Sequence, residues 1–356
     1  MTIVRGRLYA FALPLVAPLR AAHGIIEQRE GFLVAFDDES GNTGCGEAMP
    51  LPSFGGEDLA ACETALRAAL CGLPPTAPAA ATPVAGAAIE CARLDLQARA
   101  SGVSLVHALG VDTPASSVEV NALVSGDDAE AIDREVERLI PLGFETWKLK
   151  VGALPLPVDV ARVRALRAAV GVAARIRLDA NGGWSPVAAC EAIGELADSG
   201  IELVEQPIAP GDPLALARLR SDSPVRIAAD ESVTDSKTLQ ALLAADAVDA
   251  VALKIPVLGG PRSALALASQ ARARGVDAYL TSFIDSSFGI AAALQVAAAF
   301  PGAEFAHGLA TAALLSRNLT SELAISGGKL RVPDGAGVGL VPDAAALGEP
   351  IVEVHT

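Results

Sequence analysis

From Val118 onward the chain alternates short apolar or β-branched runs with alanine-rich amphipathic stretches. The runs VEVNALV, ETWKLKV, RIRLDA, IELVEQ, VRIAAD, AVALKI, DAYLTSF and EFAHGL read as strands, and DVARVRALRAAV and PRSALALASQARARG as two of the helices between them. Eight strands between about residues 118 and 309, joined by helical crossovers, is the count that closes a (β/α) barrel.

Residues 1 to about 50 alternate differently, in the manner of strands in an N-terminal sheet. The Gly- and Pro-rich loop GEAMPLPSFGGEDL follows and leads into a helix predicted from about Glu57 to Leu70. Pro74 to Pro83 reads as a surface connection, because a helical pattern resumes at once through AAIECARLDLQARASG. After Leu309 the pattern fades into KLRVPDGAGVGLVPD, a short strand and turns expected to pack back on the N-terminal domain. The run Leu8 to Leu19 behind Arg5 and Arg7 imitates a secretory signal, but Pro14 and Pro18 interrupt it and EGFLVAF follows as a second strand, so a first hairpin is expected.

Composition narrows the function. Hydrophobic residues make up 51% of the 356 and mean hydropathy is +0.41, as parallel strands buried on both faces require. Lys and Arg number 27 against 42 Asp and Glu, a net charge of -15, and no stretch is basic, which disfavours nucleic acid as a partner. No apolar run reaches the roughly 18 residues of a membrane helix. The cysteines at 45, 62, 71, 91 and 190 are odd in number and lack CxxC spacing, so buried free thiols in a reducing cytoplasm are expected.

Lys150, Asp179, Glu205, Asp230 and Lys254 recur at gaps of 29, 26, 25 and 24 residues, each at the end of a predicted strand. Strand ends in a parallel barrel converge on one mouth. Three carboxylates there, with no His or Cys near, describe an oxygen-ligated divalent metal, Mg²⁺ with Mn²⁺ as a possible substitute, because burying them together without a cation is costly. Lys148 and Lys150, two apart on one strand, both face inward, and a neighbouring like charge with partial desolvation would lower the pKa of Lys150 and make it a base. Lys148 could equally pair with the carboxylates. Lys254 is expected to approach from the opposite face, and Asn181 points inward beside Asp179. Gly259 and Gly260 read as a tight turn, Trp147 and Trp184 as packing, and His307 equally as a structural hydrogen-bonder or a site residue.

On these residues the chain resembles the enolase superfamily, and within it the muconate-lactonising branch. Lys148 and Lys150 match that branch's KxK, Lys254 its second lysine, and DANGGW, VEQP and ADES carry the metal ligands Asp179, Glu205 and Asp230. The mandelate-racemase branch would place a His in DAYLTSF, which has none. The resemblance implies an α/β fold: a (β/α)7β modified TIM barrel (118–315), with an N-terminal α+β capping domain (1–117) completed by a C-terminal segment (316–356). The segments GCGEAMPLPSFGGE, TSFIDSSFGIAAALQVAAAFP and AHGLATAALL are similar to those of o-succinylbenzoate synthases, in many of which Glu stands where this chain has Asp285.

That similarity implies dehydration of a small-molecule carboxylate, with Lys150 as base and acid and Lys254 as a fixed cation. Arg20 and Ser53 in the capping loops, and Lys148, Asn181, Ser282 and Asp285 in the barrel, are the candidate substrate-binding residues. An N-acylamino acid racemase or dipeptide epimerase would use the same two lysines. A barrel that only binds a ligand is disfavoured because every ligand and both lysines are retained.

Overall fold

The computed structural model describes residues 2–21, 24–72, 82–300, 305–321 and 323–355, with the side chains of residues 20 and 21 outside that description. Strands β1 (Ile3–Ala21), β2 (Gly24–Asp38) and β3 (Thr43–Ala48) form an antiparallel sheet, extended beyond β1 by the C-terminal strand β14 (Val352–His355). The apolar run behind Arg5 and Arg7 is thus a sheet strand. It accommodates Pro14 and Pro18 through a register irregularity between Pro14 and Leu19, where proline supplies no ladder donor.

Period-two alternation gives this sheet two buried faces. Phe32, Val34 and Phe36 face helices α1 (Leu59–Cys71) and α2 (Pro83–Ala100), while Leu33 and Ala35 join Phe11 and Leu13 against the barrel. Gly46 lets β3 lie directly on α2, since a Cβ there would collide with the Ala88 carbonyl. The short helix α3 (Leu105–Ala108) then leads into the barrel.

Seven parallel strands follow in unbroken spatial order: β5 (Ala122–Val124), β6 (Thr146–Lys150), β7 (Arg175–Asp179), β8 (Ile201–Glu205), β9 (Arg226–Ala229), β10 (Ala250–Leu253) and β11 (Asp277–Leu280). Between them run α4 (Ala129–Leu139), α5 (Leu156–Val170), α6 (Pro186–Leu196), α7 (Pro213–Asp222), α8 (Ser236–Ala244) and α9 (Pro261–Arg272), with α10 (Ser287–Ala297) after β11. Aspartate or serine side chains cap α4, α6, α7 and α8, which fixes where each crossover helix begins.

Two of the eight predicted strands are modified. VEVNALV splits into β4 (Ser117–Glu119), which pairs antiparallel with β13 (Lys329–Arg331) beside β12 (Ile325–Ser326), and β5, which joins the barrel. Among its described residues EFAHGL contributes only isolated bridges, at His307 and Gly308, yet these close the ring. Asn121 N donates to His307 O at 3.0 Å and Gly308 N to Leu280 O at 2.8 Å. His307 Nδ1 accepts from Leu280 N at 2.9 Å, and burial holds its pKa down to about 3, so it is a neutral structural acceptor.

All five cysteines are unpaired, but only Cys45, Cys62 and Cys91 are buried; Cys71 and Cys190 are exposed on helices, against the expectation of buried thiols. Trp147 and Trp184 belong to the barrel core, and Gly259 and Gly260 turn the chain into α9 with positive φ. Among the described residues no helix is long and apolar enough to cross a membrane.

Candidate active site

Counted around the ring from β5, the two lysine strands are second and sixth, four apart among eight, so Lys150 and Lys254 stand on opposite sides of the mouth. The third, fourth and fifth strands between them end in Asp179, in Glu205 and one residue before Asp230. Parallel register places Lys150, Asp179 and Glu205 in one row, Lys150 opposite Asp179 and Asp179 opposite Glu205. One carboxylate oxygen from each of Asp179, Glu205 and Asp230 lies within 4.8 Å of the others, and all three residues are buried.

The lysines are woven through this cluster. Lys148 Nζ lies 2.8 Å from Glu205 Oε1 and 2.9 Å from Asp179 Oδ2. Lys150 Nζ donates to Asp179 Oδ2 at 2.7 Å and to Asn181 Oδ1 at 2.6 Å, while Lys254 Nζ pairs with Asp230. Burial alone would lower the pKa of Lys148 and of Lys254, but the facing carboxylates outweigh it and hold both above the usual lysine value. Burial would raise Asp179, yet the charges of Lys148 and Lys150 hold it well below the carboxylate range. Glu205 and Asp230 go the other way, raised chiefly by burial.

A divalent ion fits these donors. Glu231 lies beside the cluster; its Oε1 accepts from Asn181 Nδ2 at 2.8 Å, and its Oε2 is buried with no hydrogen-bond partner among the described residues. Formally, four carboxylates face three ammonium groups. A bound divalent cation therefore turns the deficit into a single positive charge, which a substrate carboxylate neutralises.

Above the cluster opens a cavity lined by Lys148, Lys150, Asp179, Asp230 and Lys254 and roofed by Leu19, Ile26, Leu51 and Phe54 of the cap. The Phe54 ring centroid is 5.4 Å from Lys150 Nζ and 5.9 Å from Lys254 Nζ. Ser282 lines the cavity, its Oγ 2.5 Å from Thr311 Oγ1.

Two of the substrate-binding candidates, Ser53 and Asp285, lie elsewhere. Ser53 is exposed, because it shares a single 3-10 turn (Pro52–Phe54) with Phe54, and neighbours on such a turn point a third of a revolution apart. Asp285 leaves the cavity because Ile284, at φ 61°, turns the chain so that Ile284 lines the mouth while Asp285 borders a second cavity at the seam between cap and barrel, with Glu47. The Arg20 side chain falls outside the described residues, although its backbone pairs with Ile25 in the first hairpin.

Sequence reasoning also missed several residues of the site. Tyr279 donates to Glu205 Oε2 at 2.8 Å, and fully buried Arg177 packs beneath it, 5.0 Å from its ring. Both sit two residues before a residue of the mouth, a period-two signal that could have found them. Arg29 of β2 donates to the carbonyls of Met49, Pro50 and Phe283 at 2.5, 3.1 and 2.9 Å, tying the cap to its own loop and to the barrel. No local pattern marks such a long-range contact.

Comparison with known proteins finds relatives of this fold. A family profile described as enolase C-terminal domain-like matches residues 131–346, and one described as MenC, N-terminal domain, matches residues 3–96. The chain is 30% identical over 365 residues to the L-Ala-D/L-Glu epimerase of Bacillus subtilis (strain 168), covering 98% of this chain and 99% of that one. It is 36% identical over 257 residues to a chloromuconate cycloisomerase of Cupriavidus necator, covering 72% and 70%. The crystal structure of the dipeptide epimerase from Enterococcus faecalis V583, complexed with Mg and the dipeptide L-Leu-L-Tyr, superposes with a TM-score of 0.89 at 28% identity, covering 96% of this chain and 99% of that one. With its cap, its parallel barrel and its carboxylates ranged between two lysines, the chain belongs to the enolase superfamily.

Proposed function

We propose that the protein is an o-succinylbenzoate synthase, which dehydrates 2-succinyl-6-hydroxy-2,4-cyclohexadiene-1-carboxylate with syn stereochemistry in menaquinone biosynthesis. The observation that carries the reaction class is the placement of two lysines on opposite strands with three carboxylates between them. The match of the cap to the N-terminal domain of MenC, the o-succinylbenzoate synthase, supports the particular reaction.

Asp179, Glu205 and Asp230 would hold Mg²⁺, which supplies positive charge where the substrate carboxylate gathers negative charge as the adjacent proton leaves. Lys150 takes that proton from the ring carbon and then gives it to the departing hydroxide on the same face, so that water leaves and the ring becomes aromatic. Asn181 and Asp179 orient the Lys150 amine, and Lys148 steadies two of the carboxylates. Lys254 stays cationic across the ring and stabilises the anionic intermediate. Leu19, Ile26, Leu51 and Phe54 exclude water. The free cysteines support a cytoplasmic location.

A second reading, an N-acylamino acid racemase or dipeptide epimerase, is favoured by the whole-length similarity to the Bacillus subtilis epimerase. There Lys150 and Lys254 would exchange protons on opposite faces of the α-carbon. Ultraviolet absorbance of the dehydration, run beside α-proton exchange of N-succinylamino acids and dipeptides in D₂O, separates the two. Dehydration is the expected result; exchange without dehydration would transfer the assignment to the second reading.

A further inference from the structure

The barrel mouth divides by strand order into halves of different chemistry. Asp179, Glu205 and Asp230 occupy the third to fifth strands, and the arc across the ring consists of Thr281 after the seventh strand, Gly308 in the eighth and Asn121 before the first. This arc carries no charge. Three polar groups in or beside it are already engaged: Asn121 Nδ2 donates to Ala122 O at 3.0 Å, and the hydroxyls of Ser282 and Thr311 pair with one another.

Thr281 differs. It is 6% exposed, and its Oγ1 is buried with no hydrogen-bond partner among the described residues. A parallel bridge to Gly308 shows that the strand pattern continues through Thr281, which therefore shares the inward face of Tyr279, whose hydroxyl reaches Glu205 inside the barrel. A hydroxyl removed from water and left unpaired weakens the free protein, and it is the kind of group a ligand completes.

We infer that the Thr281 hydroxyl donates a hydrogen bond to the substrate, and that its acceptor is an acyl carbonyl two bonds beyond the carbon that loses the proton. The inference rests on the reading that the site abstracts a proton next to a carboxylate. With that carboxylate at the acidic strands and the reacting carbon between Lys150 and Lys254, the rest of the molecule extends toward the uncharged arc. Both candidate substrate classes place a neutral carbonyl there. In the cyclohexadiene acid it is the succinyl ketone on the neighbouring ring carbon; in an N-acylamino acid it is the amide carbonyl, with nitrogen replacing that ring carbon. Thr281 thus serves either reaction, and a neutral donor suits either acceptor.

The test compares a carboxylate that carries the whole acylamino group with one that lacks it, N-succinyl-L-phenylalanine and 3-phenylpropanoate, titrated calorimetrically into the Mg²⁺-supplemented protein. Thr281→Val should weaken binding of the acylated acid about tenfold, the scale of one neutral hydrogen bond, and leave 3-phenylpropanoate unchanged, while Thr281→Ser restores the wild-type value. Because the hydroxyl has no internal partner, the valine variant should melt no lower than wild type. Equal loss for both acids, no loss for either, a lowered melting temperature, or failure of the wild type to bind the acylated acid would each overturn the inference. Thr281 also borders the seam cavity of Glu47 and Asp285, so a variant that altered only the pH dependence of stability would overturn it too. The reaction class fails separately, if neither dehydration nor α-proton exchange occurs while Thr281→Val still weakens binding of the acylated acid alone by about tenfold.

Discussion

Lys150 and Asp179 are register partners on adjacent parallel strands, and the Lys150 ammonium lies 2.7 Å from the Asp179 carboxylate. The proposed base therefore stands beside a proposed metal ligand because the two strands align, with no loop in between. Backbone hydrogen bonds hold this pairing, so side-chain substitutions can test it without dismantling the wall.

Lys150→Ala should reduce turnover by roughly 10²-fold to 10⁴-fold, the usual contribution of a positioned general base. Lys254→Arg keeps a cation that is effectively never a base, so a dehydratase should retain measurable activity while a racemase should lose it. Steady-state rates for the two variants, measured for dehydration and for α-proton exchange, check both expectations.

Exhaustive chelation should abolish turnover and readdition of Mg²⁺ should restore it. A readout independent of activity follows from linkage: Mg²⁺ at about a hundred times its dissociation constant should stabilise the fold by about 2.7 kcal/mol. Asp230→Ala removes one donor and should shrink that gain, which a thermal melt with and without the ion would show.

Stability should fall as pH rises from about 4 toward about 8. Burial and the nearby Asp285 push Glu47 up to about 8, and burial pushes Asp285 up to about 6 against the opposing charge of Arg29. Both groups keep their protons in the folded protein at a pH where the unfolded chain has lost them, so the stabilisation is complete at low pH and is lost through the folded pKa values. Glu47→Gln should flatten this slope, by an amount on the order of 2 kcal/mol between the two ends. Melting temperature against pH for wild type and variant measures it.

Phe54→Ala should raise the Michaelis constant and Ser53→Ala should leave it unchanged, because Phe54 roofs the cavity and Ser53 faces solvent. Loss of the ring opens the mouth to water and removes a contact of about 0.5–1 kcal/mol or more with each facing ammonium. Equal effects of the two substitutions on the Michaelis constant would contradict the assignment of the roof.

The sequence by itself determined the barrel, because parallel strands buried on both faces demand apolar runs separated by helices, and such runs recur from Val118 to Leu309. It also determined the ring of charge at the mouth, since residues ending successive strands must meet and Lys150, Asp179, Glu205, Asp230 and Lys254 end or closely follow five of them. Only the tertiary structure decided which neighbours complete the site. The eighth strand, legible as EFAHGL, closes the ring through His307 and Gly308 alone among its described residues, by hydrogen bonds to Asn121 and Leu280 that no local pattern encodes. Ser53 is exposed while its neighbour Phe54 is half-buried over the cavity, and Ile284 and Asp285 line different cavities, because a 3-10 turn and a positive φ rotate neighbours away from each other. Arg29 joins cap and barrel only where the carbonyls of the adjacent Met49 and Pro50 converge with that of Phe283. Periodicity reports the face a residue occupies within its own element, whereas these contacts depend on how separate elements meet.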